Sequence, residues 1–120
     1  MIKDEVELVI KGHTYSIKFP NVGQYYRIEA IKQNLSNGYY NALVMSVSKA
    51  AQHALDMIDI EATLVVLCPE LIKDLKVKNF NELDIRDYCE IRDAFYKVVA
   101  PFFKEIDELL KSEDNALEQN

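Results

Sequence analysis

Two short stretches of alternating apolar residues begin the chain, and they constrain its fold more than any other feature. Residues 5–10 alternate, residues 13–19 alternate again, and Lys11 and Gly12 form a two-residue connection between them. Glycine readily adopts the positive φ of a tight hairpin turn, so the pattern predicts an antiparallel β-hairpin. The side chains of its apolar face are Val6, Leu8, Ile10, Tyr15, Ile17 and Phe19. Because an isolated hairpin is marginally stable in water, helices that follow must cover this face.

The residues after the hairpin have the spacing of amphipathic helices. Asn21 and Gln24 match a capping box and predict a first helix over residues 22–35. Gly38 follows as a stop signal, because glycine accepts the left-handed conformation of a helix cap. Further helices are predicted over residues 39–56, 60–67, 69–75 and 85–111.

These elements predict a mainly α fold with four to five helices and an N-terminal antiparallel β-hairpin. An apolar fraction of 49% with 28% charged residues is typical of globular proteins. We expect a single globular domain over residues 1–111, with the hairpin at 5–19 and a helical part at 22–111, followed by a disordered acidic tail over 112–120. The predicted core contains Val6, Leu8, Tyr15, Ile17, Tyr25, Ile28, Leu43, Val47, Phe95, Val99 and Phe102.

Two of the predicted helices have apolar sides that could contact another element or a partner as well as the core. The apolar stripe of the 39–56 helix contains three alanines, which would let another element approach closely. The 85–111 helix is kinked at Pro101 in this prediction, and its apolar side spans about half of its circumference. Either several helices surround it, or part of it is left for a partner helix or a second subunit.

The chain has no run of eighteen apolar residues, and its first residues are acidic. We therefore expect neither a signal peptide nor a membrane span. Cys68 and Cys89 both lie in apolar helical contexts, which indicates two reduced thiols in a cytoplasmic protein.

The net charge of −6 is unevenly distributed along the chain. Residues 12–53 carry four bases against one acid, whereas residues 54–120 carry sixteen acids against eight bases. An acidic chain without a basic stripe argues against nucleic-acid binding. The asymmetry favours a basic partner or head-to-tail association that weakens with salt, unless the two faces are simply solvated.

No motif of the sequence indicates catalysis or a cofactor. His13 and His53 lack a second ligand at metal-binding spacing, and the serines lack the glycines of a nucleophile elbow. There is no glycine-rich phosphate loop. Four carboxylates recur every three residues and spiral around the last helix, which predicts a solvated, salt-bridged face; they are Asp84, Asp87, Glu90 and Asp93. We expect no enzyme activity, no metal and no cofactor.

Tyrosine is the residue type that points to a function, because four of the seven tyrosines lie within residues 25–40. Tyr26 and Tyr39 fall away from the apolar stripes, and exposed tyrosines often anchor interfaces. Alternatively, they lie against the hairpin or shield loop backbone. With the surplus apolar side of the last helix, the candidate partner-binding residues are Tyr26, Tyr39, Val98, Phe103, Ile106 and Leu110.

The order of a strand, a Lys-Gly turn, a second strand and several helices resembles the small tail assembly chaperones of tailed bacteriophages. The segment Gly-His-Thr-Tyr-Ser-Ile-Lys-Phe-Pro at residues 12–20 carries most of the likeness, together with residues 21–29 and 69–75. The resemblance implies a non-enzymatic helper in the cytoplasm of the bacterial host, or associated with the virion. It would coat the tape measure protein and deliver tail tube subunits, and it could be a homo-oligomer. The alternative is a small acidic inhibitor or adaptor that binds a host protein through its acidic half.

Overall fold

A two-stranded antiparallel sheet and six helices make up the described part of the chain. The computed structural model describes the backbone of residues 4–118 and the side chains of residues 4–111. The mainly α class with an N-terminal hairpin is confirmed, with one helix more than the predicted maximum of five. The elements are β1 (Glu5–Ile10), β2 (His13–Lys18), α1 (Val22–Leu35), α2 (Tyr40–Met45), α3 (Lys49–Leu67), α4 (Pro69–Leu75), a 3-10 turn (Phe80–Glu82), α5 (Ile85–Val98) and α6 (Ala100–Glu118).

The hairpin has the predicted connection and the predicted buried face. Lys11 and Gly12 have φ values of 50° and 79°, and positive φ at both central residues defines the type I′ turn. The antiparallel register places Leu8 opposite Tyr15. One face of the sheet is buried by the helices and the other is exposed; the buried residues are Leu8, Ile10, Tyr15 and Ile17.

Two of the four spiralling carboxylates fasten the hairpin turn to α5. The backbone N–H of Lys11 donates to Glu90 Oε2 at 2.7 Å, and Lys11 Nζ lies 3.0 Å from Asp87 Oδ2. These carboxylates therefore position the sheet as well as facing solvent. The other two pair with exposed arginines, Asp84 with Arg86 and Asp93 with Arg92.

Helix α1 has the ends that its sequence predicts. The Asn21 side chain accepts from the Gln24 N–H at 2.8 Å, and the Gln24 side chain accepts from the Asn21 N–H at 3.0 Å. This reciprocal pair is the predicted capping box. The left-handed residue directly after the Ser36 cap is Asn37, with φ 54°, and the predicted Gly38 follows it with φ 83°.

The predicted helix over residues 39–56 is wrong, because the chain breaks inside it and not after it. Ser46 and Ser48 have extended backbones, and the Ser48 side chain caps α3 by accepting from the Ala51 N–H at 3.2 Å. The predicted break at 56–59 is absent, since α3 runs from Lys49 to Leu67. Aspartate inside a helix costs less than about 1 kcal/mol, and the burial of the apolar residues around positions 58–67 outweighs that cost.

Helix α3 is the central element, and a short helix continues from it. Most of its side chains from Ile58 to Leu67 are buried, including the carboxylate of Glu61, which accepts from the Phe80 N–H at 3.3 Å. Burial raises the pKa of Glu61. The chain turns at Cys68, and Pro69 begins α4 in the first turn, where its missing N–H is not needed.

The predicted single helix over residues 85–111 is divided into α5 and α6 at Val99. Proline lacks the N–H of an interior helical residue, and its ring clashes with the carbonyl four positions earlier. Pro101 accordingly lies in the first turn of α6 and not at a kink within one helix. The Val99 N–H still donates to the Phe95 carbonyl at 2.8 Å, so the two helices follow each other closely.

The predicted core is largely confirmed, with one error. Seven of the predicted residues are buried: Leu8, Tyr15, Ile17, Ile28, Phe95, Val99 and Phe102. Val6, Tyr25 and Leu43 are half-buried. Val47 is wrong, because 93% of it is exposed in the segment between α2 and α3.

The backbone of α6 is helical to Glu118, and the side chains of residues 112–120 lie outside the described residues. The prediction of a disordered acidic tail over these residues stays a prediction. Within residues 4–118, no helix has both the length and the apolar character needed to cross a membrane. Both cysteines are free thiols; Cys68 is buried, and burial raises its pKa.

Phe95 tests the packing of α5 against the sheet and α3. It is 5% exposed, so we expect Phe95→Ala to lower the free energy of unfolding by about 3–5 kcal/mol through lost burial and a residual cavity. Ile85 on the same helix is 78% exposed, and Ile85→Ala should change that energy by less than about 0.5 kcal/mol. Urea titration measures both, and a loss below about 1 kcal/mol for Phe95→Ala would contradict this packing.

Candidate protein-binding site

An apolar groove lies between the start of α1 and the middle of α6. Its cavity volume is about 220 Å³. Ile106 is buried, whereas the side chains of Tyr26 and Leu110 are open to solvent. The lining residues are Phe19, Pro20, Asn21, Val22, Tyr25, Tyr26, Ile106, Leu109 and Leu110.

Local interactions at the end of the hairpin place the groove. The Phe19 N–H donates to the Asp4 carbonyl at 2.8 Å, which extends the strand pairing by one residue. The Phe19 ring packs edge-to-face on Phe102 with centroids 5.1 Å apart. The capping box at Asn21 then starts α1 at once, so the first turn of α1 lies beside α6.

The groove leaves several large apolar side chains exposed to solvent. Tyr26 is 67% exposed and Val22 is 72% exposed, while Leu109 and Leu110 are 50% and 44% exposed. Large apolar side chains that cluster at a solvent-open groove are typical of interaction sites. The tyrosine and leucine side chains of the groove can contact apolar side chains of another protein.

Three of the six candidate residues come together in this groove, namely Tyr26, Ile106 and Leu110. Phe103 lines a neighbouring polar cavity, and Val98 packs against the core, so neither contributes to the groove. Tyr39 precedes α2 and is 69% exposed at a separate place.

Six of the lining residues are not among the candidates, including two exposed apolar residues, Val22 and Leu109. Val22 is the first residue of α1 and lies outside its apolar stripe, but it stands one turn before Tyr26 on the same face. The i, i+4 pairing of an apolar residue with an exposed tyrosine could have found Val22. Leu109 has no tyrosine at that spacing and is the neighbour of the candidate Leu110 in α6.

A polar cavity of about 380 Å³ adjoins the groove, and Tyr25 lines both. Lys32 from α1 lies at its centre, with its Nζ 3.0 Å from Glu29 Oε1 and 3.7 Å from Asp59 Oδ1. The Tyr40 hydroxyl donates to Asp59 Oδ1 at 2.7 Å, and Lys32 Nζ stands 5.5 Å from the centre of the Tyr40 ring. This network joins α1, α2 and α3.

Burial controls the ionisation of this network. Desolvation raises the pKa of Asp59, although the Tyr40 hydroxyl and the Lys32 ammonium oppose the shift. Desolvation, followed by the hydrogen bond to Asp59, raises the pKa of Tyr40, so the phenol stays protonated as a donor. The polar groups of this network pair with one another, which is typical of a network that stabilises the fold.

Among residues 4–111, whose side chains are described, no group of three or more His, Cys, Asp or Glu residues could hold a metal ion. Comparison of the chain with protein-family models, with curated proteins and with solved structures finds no match.

The buried carboxylate of Asp59 predicts a pH dependence of stability. Because its folded pKa is raised, the folded protein binds more protons than the unfolded chain, and stability falls as the pH rises from about 4, the ordinary aspartate value, through the folded pKa. Asparagine does not titrate. We therefore expect the unfolding free energy of the unsubstituted protein, relative to Asp59→Asn, to decrease across that window and to stay constant above it.

Urea titrations of the two proteins at successive pH values measure this difference, in which the titrating groups that do not interact with Asp59 cancel. Asp93→Asn is a control, because Asp93 is an exposed aspartate whose partner, Arg92, lies beside it in the chain. A difference that increases with pH would contradict the burial of Asp59.

Proposed function

We propose that this protein is a non-enzymatic assembly factor that holds a helical segment of a protein client in the groove between α1 and α6. The exposed apolar groove carries the proposal. At about 220 Å³, the groove is smaller than a typical small-molecule pocket of about 300–1,000 Å³. It suits one or two side chains of a protein.

The spacing of the groove residues favours a helix as the ligand. Val22 and Tyr26 are one turn apart on α1, and Ile106 and Leu110 are one turn apart on α6. Two helices that present apolar residues at this interval form a trough into which an amphipathic helix can insert residues at i, i+3 and i+4. The excess of acids over residues 54–120 favours a client with basic residues beside its apolar stripe.

The resemblance in residues 12–29 narrows the client further. We propose that the chain is a phage tail assembly chaperone, that its client is the tape measure protein, and that it delivers tail tube subunits in the host cytoplasm. A tape measure protein is a long helical chain, so it offers many amphipathic segments of the kind that suits the groove. A hairpin followed by helices is also the order on which the resemblance depends.

The acidic half favours a second candidate, a small inhibitor or adaptor that binds a basic host protein. Residues 54–120 carry an excess of eight acids over bases. The two candidates share the absence of catalysis and differ in the client, so one binding experiment separates them.

The experiment measures binding of overlapping helical fragments of the tape measure protein from the same phage, by isothermal titration calorimetry. We expect Tyr26→Ser with Leu110→Asp to weaken binding by about 30-fold or more, because two interface anchors are removed. The control is Tyr39→Ser with Ile85→Asp, which introduces the same two residues outside the groove at positions that are at least as exposed as Tyr26 and Leu110.

Each outcome decides one part of the proposal. Equal weakening by both double variants would show that the groove is not the binding site. Failure of every fragment and of the tail tube subunit to bind the unsubstituted protein would contradict the chaperone. In that case, binding of a basic host protein that the groove variant abolishes would support the adaptor.

A further inference from the structure

The segment between α2 and α3 has the properties of a hinge. Ser46 and Ser48 are extended, and Val47 between them is 93% exposed. Residues 40–67 contain neither glycine nor proline, so the covalent chain permits a continuous helix through this segment. The apolar spacing that predicts a helix over residues 39–56 continues across the hinge without a change of register.

Few interactions hold α2 folded back on α3. No residue of α2 is fully buried. Its polar attachment to α3 is the hydrogen bond from the Tyr40 hydroxyl to Asp59, at 2.7 Å. The bend itself is stabilised by exposed hydrogen bonds of Ser48, whose hydroxyl caps α3 and whose N–H donates to Ser46 Oγ at 3.2 Å.

Apolar residues in and next to the hinge are exposed to solvent in the monomer. Val44 is 51% exposed and Met45 is 82% exposed, next to Val47. The removal of such side chains from water is favourable. A rearrangement that straightens the hinge and buries these residues would therefore be favourable.

We propose that two copies of this chain exchange residues 4–45, with the hinge 46–48 becoming helical so that α2 and α3 form one continuous helix in each copy. Every contact that the exchanged unit makes in the monomer is made again with the other copy. The contacts of β1 with α5 and of α1 with α3 are thus conserved. Each of these interfaces in the dimer is formed by the same residues as in the monomer, so the two copies are complementary.

The register of the pair follows from the contact between Tyr40 and Asp59. In the exchanged dimer, α2 of one copy lies antiparallel on α3 of the other, and Tyr40 meets Asp59 of its partner. The two-fold axis then passes midway between these positions, close to Ala50. Small side chains at Ala50 and Ala51 allow the two long helices to approach, and Val47 of each copy lies beside the crossing.

The first test changes the hinge and measures the monomer–dimer distribution by size-exclusion chromatography with light scattering, after refolding over a range of concentrations. Ser46→Ala with Ser48→Ala removes the cap and raises helix propensity in both chains, so we expect dimer affinity to rise at least tenfold. Val47→Pro should abolish the dimer, because proline blocks the interior of a helix, while Ser46 already has the extended backbone that precedes proline.

Circular dichroism shows whether Val47→Pro retains its fold, and Val47→Gly is a milder replacement that should lower dimer affinity in the same direction. The dimer should also persist in high salt and dissociate slowly on dilution, since exchange requires the lobes to unfold. A dimer that Val47→Pro leaves unchanged, or a monomer at every concentration even with both serines replaced, would overturn the proposal.

The second test distinguishes exchange from ordinary surface association. Ile28→Asp destabilises the exchanged unit and Ile91→Asp destabilises the remainder, because both isoleucines are fully buried. In an exchanged heterodimer of these two variants, one lobe contains both substitutions and the other contains neither. Refolding the two variants together should recover up to half of the folded signal, which neither recovers alone.

Absence of this recovery would overturn exchange whatever the oligomeric state. The proposal is independent of the client, because these tests involve no groove residue and no tape measure fragment. A failure here therefore leaves the proposed function standing, and a failure of client binding leaves the exchange standing.

Discussion

The one-sided burial of the hairpin organises the rest of the molecule. A two-stranded sheet has one apolar face and too few strands to be stable alone, so Leu8, Tyr15 and Ile17 must be covered by helices. The turn is fastened to α5 by Glu90 and Asp87, which lie almost eighty positions away in the chain. The sheet and α5 are therefore joined by direct contacts, and α3 is the central buried helix.

The groove is a consequence of that arrangement. Phe19 leaves the sheet and packs on Phe102, and the capping box at Asn21 starts α1 immediately afterwards. The first turn of α1 thus lies beside α6 with no intervening loop to cover the seam. Because the core is already closed by deeper residues of α6 such as Phe102, the outer residues Leu109 and Leu110 have no partner to bury them within the described chain.

Local sequence signals predicted those parts of the structure that local interactions determine. The type I′ turn, the capping box and the end of α1 after Leu35 involve neighbours a few residues apart, and all three lie where predicted, although Asn37 takes the left-handed position before Gly38. The helix boundaries near Ser46 and Asp56 were wrong for two reasons. The Ser48 hydroxyl caps α3 by accepting from the Ala51 N–H, which is a local signal that apolar periodicity does not show. Residues 56–59 stay helical because the apolar side chains around positions 58–67 are buried, and that burial depends on tertiary contacts.

The candidate site was predictable in part for the same reason. Tyr26 and Leu110 could be found as exposed or surplus apolar residues on single helices, but their proximity depends on how α1 meets α6. Phe103 and Ile106 both lie on the predicted apolar side of the last helix. In the structure, however, Phe103 lines the polar cavity, whereas Ile106 lines the groove together with Tyr26. A periodic sequence pattern predicts which face of a helix is apolar, but it does not predict which other helix packs against that face.

The groove and the hinge are linked by the topology of the chain. The groove joins α1, which precedes the hinge, with α6, which follows it, so the exchanged dimer would build each groove from two chains. Since the lining residues would keep their contacts, exchange would leave the affinity of one groove for a client helix unchanged. It would instead place two grooves on one rigid body, related by the two-fold axis near Ala50. A client with repeated amphipathic segments could then occupy both, and the second segment would bind at the high effective concentration set by the first. Pairing of grooves by exchange thus provides avidity for a long helical client without any change in the groove itself.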